Sequence, residues 1–147
     1  MSNNNQNKAN AEQEKINKLI AAAEQGDIEA QRNLGIDYYE GFYGLEKDYK
    51  EALKWFRMAA EKNDASAQFL LGSMYRYGEG VEIDYSEAAR WYRMAAEQGD
   101  AEAQDSLGIL YTWGDGVEID YIEAVKWFRK SAVQGNHHSM MRHSSGQ

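Results

Sequence analysis

The chain has 147 residues, of which 43% are hydrophobic and 27% charged, with a formal net charge of −8 and a pI near 4.9. That length can bury the core of one elongated domain, and the acidic balance argues against nucleic acid or an anionic membrane as partner, because phosphate binding needs a basic stripe. There is no cysteine to staple a disulfide framework and no apolar run of about 18 residues that a helical membrane span would need.

Residues 1–10 are Asn-rich and almost free of apolar side chains, which predicts a disordered N-terminal tail without the apolar core of a secretory leader. The cytoplasm is therefore the expected compartment. Residues 11–26 read as a capping helix with Ile16, Leu19, Ile20 and Ala23 on one side. It closes on Glu24-Gln25-Gly26-Asp27, the same ending as Glu97-Gln98-Gly99-Asp100 further on. Lys18 stands where the later segment carries Trp91, which suits a cap whose outer face stays wet.

Three units follow, at 27–63, 64–99 and 100–135, with a period of about 36 residues. Each reads as helix A, a glycine loop and helix B. In the second unit Asp84 can cap helix B, and Glu87, three residues on, can reach back to the cap; the same capping box recurs as Asp48/Glu51 and Asp120/Glu123. Ala88, Trp91, Tyr92, Ala95 and Ala96 share one face of that helix, and Gly99 supplies the left-handed residue that ends it. In the third unit helix A is predicted over 101–113, with Ala103, Leu107, Leu110 and Tyr111 as its apolar face. Trp55, Trp91 and Trp127 recur at one register and read as core. Burying one such ring removes roughly 200 Å² from water, on the order of 5 kcal/mol before ordering costs. The first unit departs in two ways: its loop, Gly41-Phe42-Tyr43-Gly44, is one residue longer, and Asp37 occupies the apolar register of Met74 and Leu110. Asp37 reads either as a tolerated polar residue or as a charged contact for a basic group. Residues 136–147 start in register for a further helix A and then lose the pattern, so they read as a truncated repeat or a flexible tail.

The chain resembles the Sel1-like repeat family, a relative of the tetratricopeptide repeats. In the third unit the resemblance rests on Ala-Glu-Ala-Gln (101–104), Leu107-Gly108, Tyr111, Gly114-x-Gly116-Val117, Asp120-Tyr121, Glu123-Ala124, Lys126-Trp127-Phe128-Arg129-Lys130 and Gln134-Gly135, and the other two units match in the same order. It implies an all-α right-handed solenoid of antiparallel helix pairs. It also implies work as an adaptor or scaffold in protein–protein interaction, without a cofactor, rather than catalysis. Glu82 and Glu118 stand where the family often has Pro. The cysteine-rich members described as β-lactamase-like carry disulfides that this chain lacks, which weakens the alternative reading as a hydrolase of that type.

No catalytic set stands out. The three histidines, His137, His138 and His143, are all in the tail with no Cys or carboxylate nearby to complete a tetrahedral metal site. The glycine loops are short and acidic and would repel a phosphate. Most carboxylates are accounted for by caps or by basic neighbours one turn away. The residues that differ between units are the better candidates for function, since the second and third units are identical at more than half of their positions. On helix A these residues form one stripe per unit: Arg32, Ile36, Tyr39 and Glu40; Phe69, Ser73, Arg76 and Tyr77; Asp105, Ile109, Thr112 and Trp113. Aromatic and arginine side chains on a rigid concave wall are what a binding hot spot uses, so a protein or peptide, basic by charge complementarity, is the expected partner. Self-association through the C-terminal end, which lacks a clear cap, is a further expectation.

Overall fold

The computed structural model of the protein describes residues 2–135. The tail with His137, His138 and His143 lies outside the described residues. Seven helices make up the regular structure among those described: α1 (Ser2–Glu24), α2 (Ile28–Glu40), α3 (Tyr49–Glu61), α4 (Ala65–Tyr77), α5 (Tyr85–Glu97), α6 (Ala101–Trp113) and α7 (Tyr121–Val133). The chain divides into two compact units, Met1–Asn63 and Asp64–Gln147. The first holds α1, α2 and α3 packed in sequence. The second holds the pairs α4/α5 and α6/α7, joined by packing of α5 on α6.

The first helix is longer than its sequence suggests. Residues from Ser2 onward are helical where a disordered tail was expected over 1–10. No Gly or Pro interrupts this segment, so a helix nucleated over the anchored residues Ile16 and Ala23 can propagate outward without a break, although the Asn residues are weaker helix formers than Ala. Amide ladders help, Gln6 donating to Asn10 at 3.1 Å and Gln13 to Asn17 at 2.9 Å. Ile16 and Ala23 are buried with Ala30, Leu34 and Trp55 in the core of the first unit.

Caps define the other helix starts. Asp48 accepts from the Glu51 amide, Asp84 from that of Glu87, and Asp120 from those of Ile122 and Glu123, all at 3.1 Å. The other half of the expected capping box differs. The amide of each cap residue donates instead to a main-chain carbonyl of its own helix A: Asp48 to Tyr38 at 2.8 Å, Asp84 to Tyr75 at 2.9 Å and Asp120 to Tyr111 at 3.0 Å. With that donor already satisfied, the glutamates turn outward. Glu87 pairs with Arg90 at 3.0 Å, Glu123 with Lys126 at 3.7 Å and Glu51 with Lys54 at 4.0 Å.

Each A/B pair closes on a glycine set against an aromatic ring. A Cβ at Gly72 would stand 2.9 Å from Tyr92 Cδ1, and one at Gly108 would stand 2.7 Å from Phe128 Cε1. The first pair repeats this with Gly35 and Phe56. The three tryptophans are buried, as their shared register requires. The ring that lies on the glycine, however, is the residue after each tryptophan.

Candidate functional site

Many of the residues common to all units are consumed by packing, including one that periodicity alone does not explain. Gln31, Gln68 and Gln104 are buried on helix A. Gln31 Nε2 donates to the Ala23 carbonyl at 3.0 Å, and Gln104 Nε2 to that of Ala96 at 3.1 Å, so each ties its helix to the one before. Their Oε1 atoms accept from the far side, Gln104 from Gln134 at 3.0 Å and Gln31 from Lys62 at 3.3 Å; Gln68 accepts from Gln98 at 2.8 Å. A buried amide is tolerated where its donor and acceptor are matched. The sequence signal was present as the repeated Ala-Gln at 30–31, 67–68 and 103–104, but nothing in it named the partners.

The helix-A stripe is graded in exposure. In the second unit, Phe69 and Ser73 lean on helix B: the Phe69 ring lies 5.7 Å from that of Tyr92, and the Ser73 and Tyr92 hydroxyls share a hydrogen bond of 2.9 Å. Burial pushes the Tyr92 phenol above its usual pKa, with the Ser73 bond opposing. Arg76 is half-buried, its guanidinium carbon 5.1 Å from the centre of the Tyr77 ring. Tyr77 is 61% exposed and Trp113 71% exposed. Asp105, Ile109 and Thr112 are half-buried on α6, and Thr112 turns its hydroxyl back to the Gly108 carbonyl at 2.9 Å. Beside Phe69 a shallow depression of about 320 Å³ runs past Ser66 and Leu70 to Asp100 and Glu102 at the start of α6. Its carboxylates give that end of the stripe an acidic edge.

In the first unit, Arg32, Ile36 and Tyr39 are half-buried on α2 and Glu40 is exposed. The Tyr39 ring packs against Tyr49 at 5.0 Å. Ile36 also lines a groove of about 640 Å³ between α1 and α2, together with Asp37, Phe42 and Tyr43. No group of three or more His, Cys, Asp or Glu side chains among the described residues is arranged to hold a metal.

The same helix pair thus recurs three times with capped starts, glycine crossings and buried indoles. The family model of the Sel1 repeat matches residues 28–64, 65–100 and 101–136. The chain belongs to the Sel1 repeat family. Among solved structures, this Sel1 repeat chain is similar to a Sel1 repeat protein from Oxalobacter formigenes, at 41% identity and a TM-score of 0.78, over 87% of this chain and 96% of that one. It is also similar to a protective antigen of uropathogenic Escherichia coli displaying an SLR fold, at 43% identity and a TM-score of 0.82, over 84% of this chain and 26% of that one. The cysteine-rich protein B of Helicobacter pylori shares the fold, at 22% identity and a TM-score of 0.69, over 90% of this chain and 94% of that one. In sequence, the chain is 36% identical over 69 residues to an ERAD-associated E3 ubiquitin-protein ligase component, HRD3A, of Arabidopsis thaliana. That match takes in 47% of this chain and only 10% of the relative's length.

The fold class is all-α, of the helix-pair solenoid type. Sel1 repeat proteins typically mediate protein–protein interaction, and theirs is generally a non-catalytic scaffold fold. No helix among the described residues is long and apolar enough to cross a membrane.

Proposed function

We propose that this Sel1 repeat chain is an adaptor that holds a protein or peptide, basic in character, on the outward stripe of the A helices α4 and α6. One contrast carries the reading. The shared helix-A residues Ala67/Ala103, Gln68/Gln104 and Leu71/Leu107 and the tryptophans are buried, whereas the variable A-helix positions end in two aromatic rings open to solvent, Tyr77 and Trp113, with Arg76 beside the first. Large exposed aromatics next to arginine are the side chains that dominate interface energetics. The acidic edge formed by Asp100 and Glu102, together with the net charge of −8, favours a basic partner. The relative named as a ubiquitin ligase component agrees with work inside an assembly.

The test compares the wild type with an Arg76→Ala, Tyr77→Ala, Trp113→Ala variant as bait, with captured proteins quantified by mass spectrometry. Tyr77 and Trp113 are chosen over Phe69, whose ring supports Tyr92; Arg76, which also bonds Tyr92, is included because its guanidinium stands beside the exposed Tyr77 ring. The variant should keep its helicity and melting temperature and lose the proteins that the wild type enriches. Equal capture by both baits would overturn the stripe as the binding surface.

A further inference from the structure

Three observations meet in the groove between α1 and α2. The first is Asp37. Its register is filled in the other units by Met74 and Leu110, both buried, and Asp37 itself is only 7% exposed. Its main-chain carbonyl accepts from the amides of Gly41 at 2.8 Å and Phe42 at 2.9 Å, which fixes its place at the end of α2. Among the described residues, its carboxylate takes part in no side-chain hydrogen bond and no ion pair; the charge that acts on it, from a distance, is Lys15. Asp37 lines the groove, and burial of its surroundings disfavours the charged form, so a cationic donor entering the groove would stabilise the carboxylate.

The second observation is the wall. The longer loop places Phe42 and Tyr43 along the groove, both exposed. Tyr43 has φ +57, a left-handed conformation that bulky side chains rarely adopt. The third is the engagement of the lysines at the mouth. Lys15 Nζ lies 4.6 Å from the centre of the Tyr43 ring and 3.4 Å from its hydroxyl, and Lys18 pairs with Glu14 at 3.6 Å. Neither closes on Asp37. Ile16, Leu19, Ala22 and Ile36 supply an apolar lining.

We propose that this groove receives an arginine side chain of a partner polypeptide, with Asp37 as its carboxylate acceptor. A guanidinium fits on each count. Its planar fork pairs with a carboxylate, it is less strongly hydrated than an ammonium, and it stacks on aromatic faces such as that of Phe42. The apolar lining takes the methylene stem and the flanking residues. The groove's volume of about 640 Å³ is ample for one long side chain and its neighbours. The proposal rests on the reading of the chain as a protein-interaction module, but on a surface separate from the stripe around Tyr77 and Trp113.

The probe is a capped peptide with one arginine between leucines, compared with the same peptide carrying citrulline or lysine at that position. Binding is followed by calorimetry and by the carboxyl carbon shift of Asp37. The arginine peptide should move that shift and bind about tenfold or more tightly than the citrulline and lysine peptides. The Asp37→Met variant restores the apolar residue of the second unit, so it should fold at least as well as the wild type and lose the preference. The Arg76→Ala, Tyr77→Ala, Trp113→Ala variant should bind the arginine peptide unchanged, which separates the groove from the stripe. Equal affinity for arginine and citrulline peptides, an unaltered preference in Asp37→Met, or no binding of the arginine peptide would each overturn the assignment. A lysine peptide that binds as well as the arginine peptide would overturn the guanidinium.

Discussion

Trp55, Trp91 and Trp127 show what a single residue contributes to this chain. Each indole is buried, yet each Nε1 is without a hydrogen-bond partner among the described residues. The ring area favours folding, while the unpaired N–H detracts by about 1–3 kcal/mol. Cations lie beside the rings, Arg90 at 4.6 Å from Trp91 and Lys130 at 4.6 Å from Trp127. Trp91→Phe should therefore cost less than about 2 kcal/mol, because lost area and a released donor offset, whereas Trp91→Ala should cost about 3–5 kcal/mol. Urea denaturation measures both, and a phenylalanine variant as unstable as the alanine one would contradict the offset. Asp37 carries the opposite imbalance. Burial raises its carboxyl pKa above the ordinary 3.8, and Lys15 only partly opposes this. The folded state then keeps a proton that the unfolded chain has already lost. Its contribution is most favourable below 3.8 and is lost as pH rises through the raised value. Asp37→Asn should melt higher than the wild type at neutral pH, with the gap closing as pH falls toward the ordinary carboxylate value. A gap that stays constant in pH-dependent melting curves would rule out the ionised carboxylate as its source.

At the scale of the helix, the caps separate two roles that look alike in sequence. Asp84 receives the Glu87 amide, but its own amide is taken by the Tyr75 carbonyl, so the Glu87 carboxylate is left for Arg90. Asp84→Ala should cost about 1 kcal/mol, the usual value of an N-cap. Glu87→Ala should cost no more than about 0.5 kcal/mol, the worth of an exposed pair one turn apart. Thermal melts of the two variants decide it: equal losses would mean that the reciprocal half of the capping box forms in solution. The same pair of helices shows why glycine sits inside an A helix despite its poor propensity. Gly72 and Gly108 lie where a methyl group would meet the ring of Tyr92 or Phe128, so close approach of the two helices outweighs about 1 kcal/mol of intrinsic preference.

For the molecule as a whole, charge is the dominant feature beyond packing. The formal net charge is −8, and the salt bridges described are exposed pairs within single helices. Such pairs contribute little, so the net self-repulsion is left mostly uncompensated. Raising sodium chloride from about 10 mM to about 200 mM should raise the melting temperature by screening it. A melting temperature that falls with salt would show that attractive pairs outweigh the repulsion.

Periodicity by itself determined the helix pairs, the Asp caps, the left-handed Gly99 and the burial of the three indoles, because each follows from residues within one or two turns or from a repeat of about 36 positions. It also identified the variable stripe, but not its gradation. Phe69 stands in the second turn of α4, where the ring of Tyr92 on helix B meets it and leaves it half-buried, whereas Trp113 is the last residue of α6 and is 71% exposed. The tertiary structure alone decided the rest: which carbonyl takes the cap amide, which groups the buried glutamines join, and that Asp37 opens on a groove with Phe42 and Tyr43. Those outcomes turn on distances between groups on different helices, which arise only when the chain packs and which no local pattern encodes.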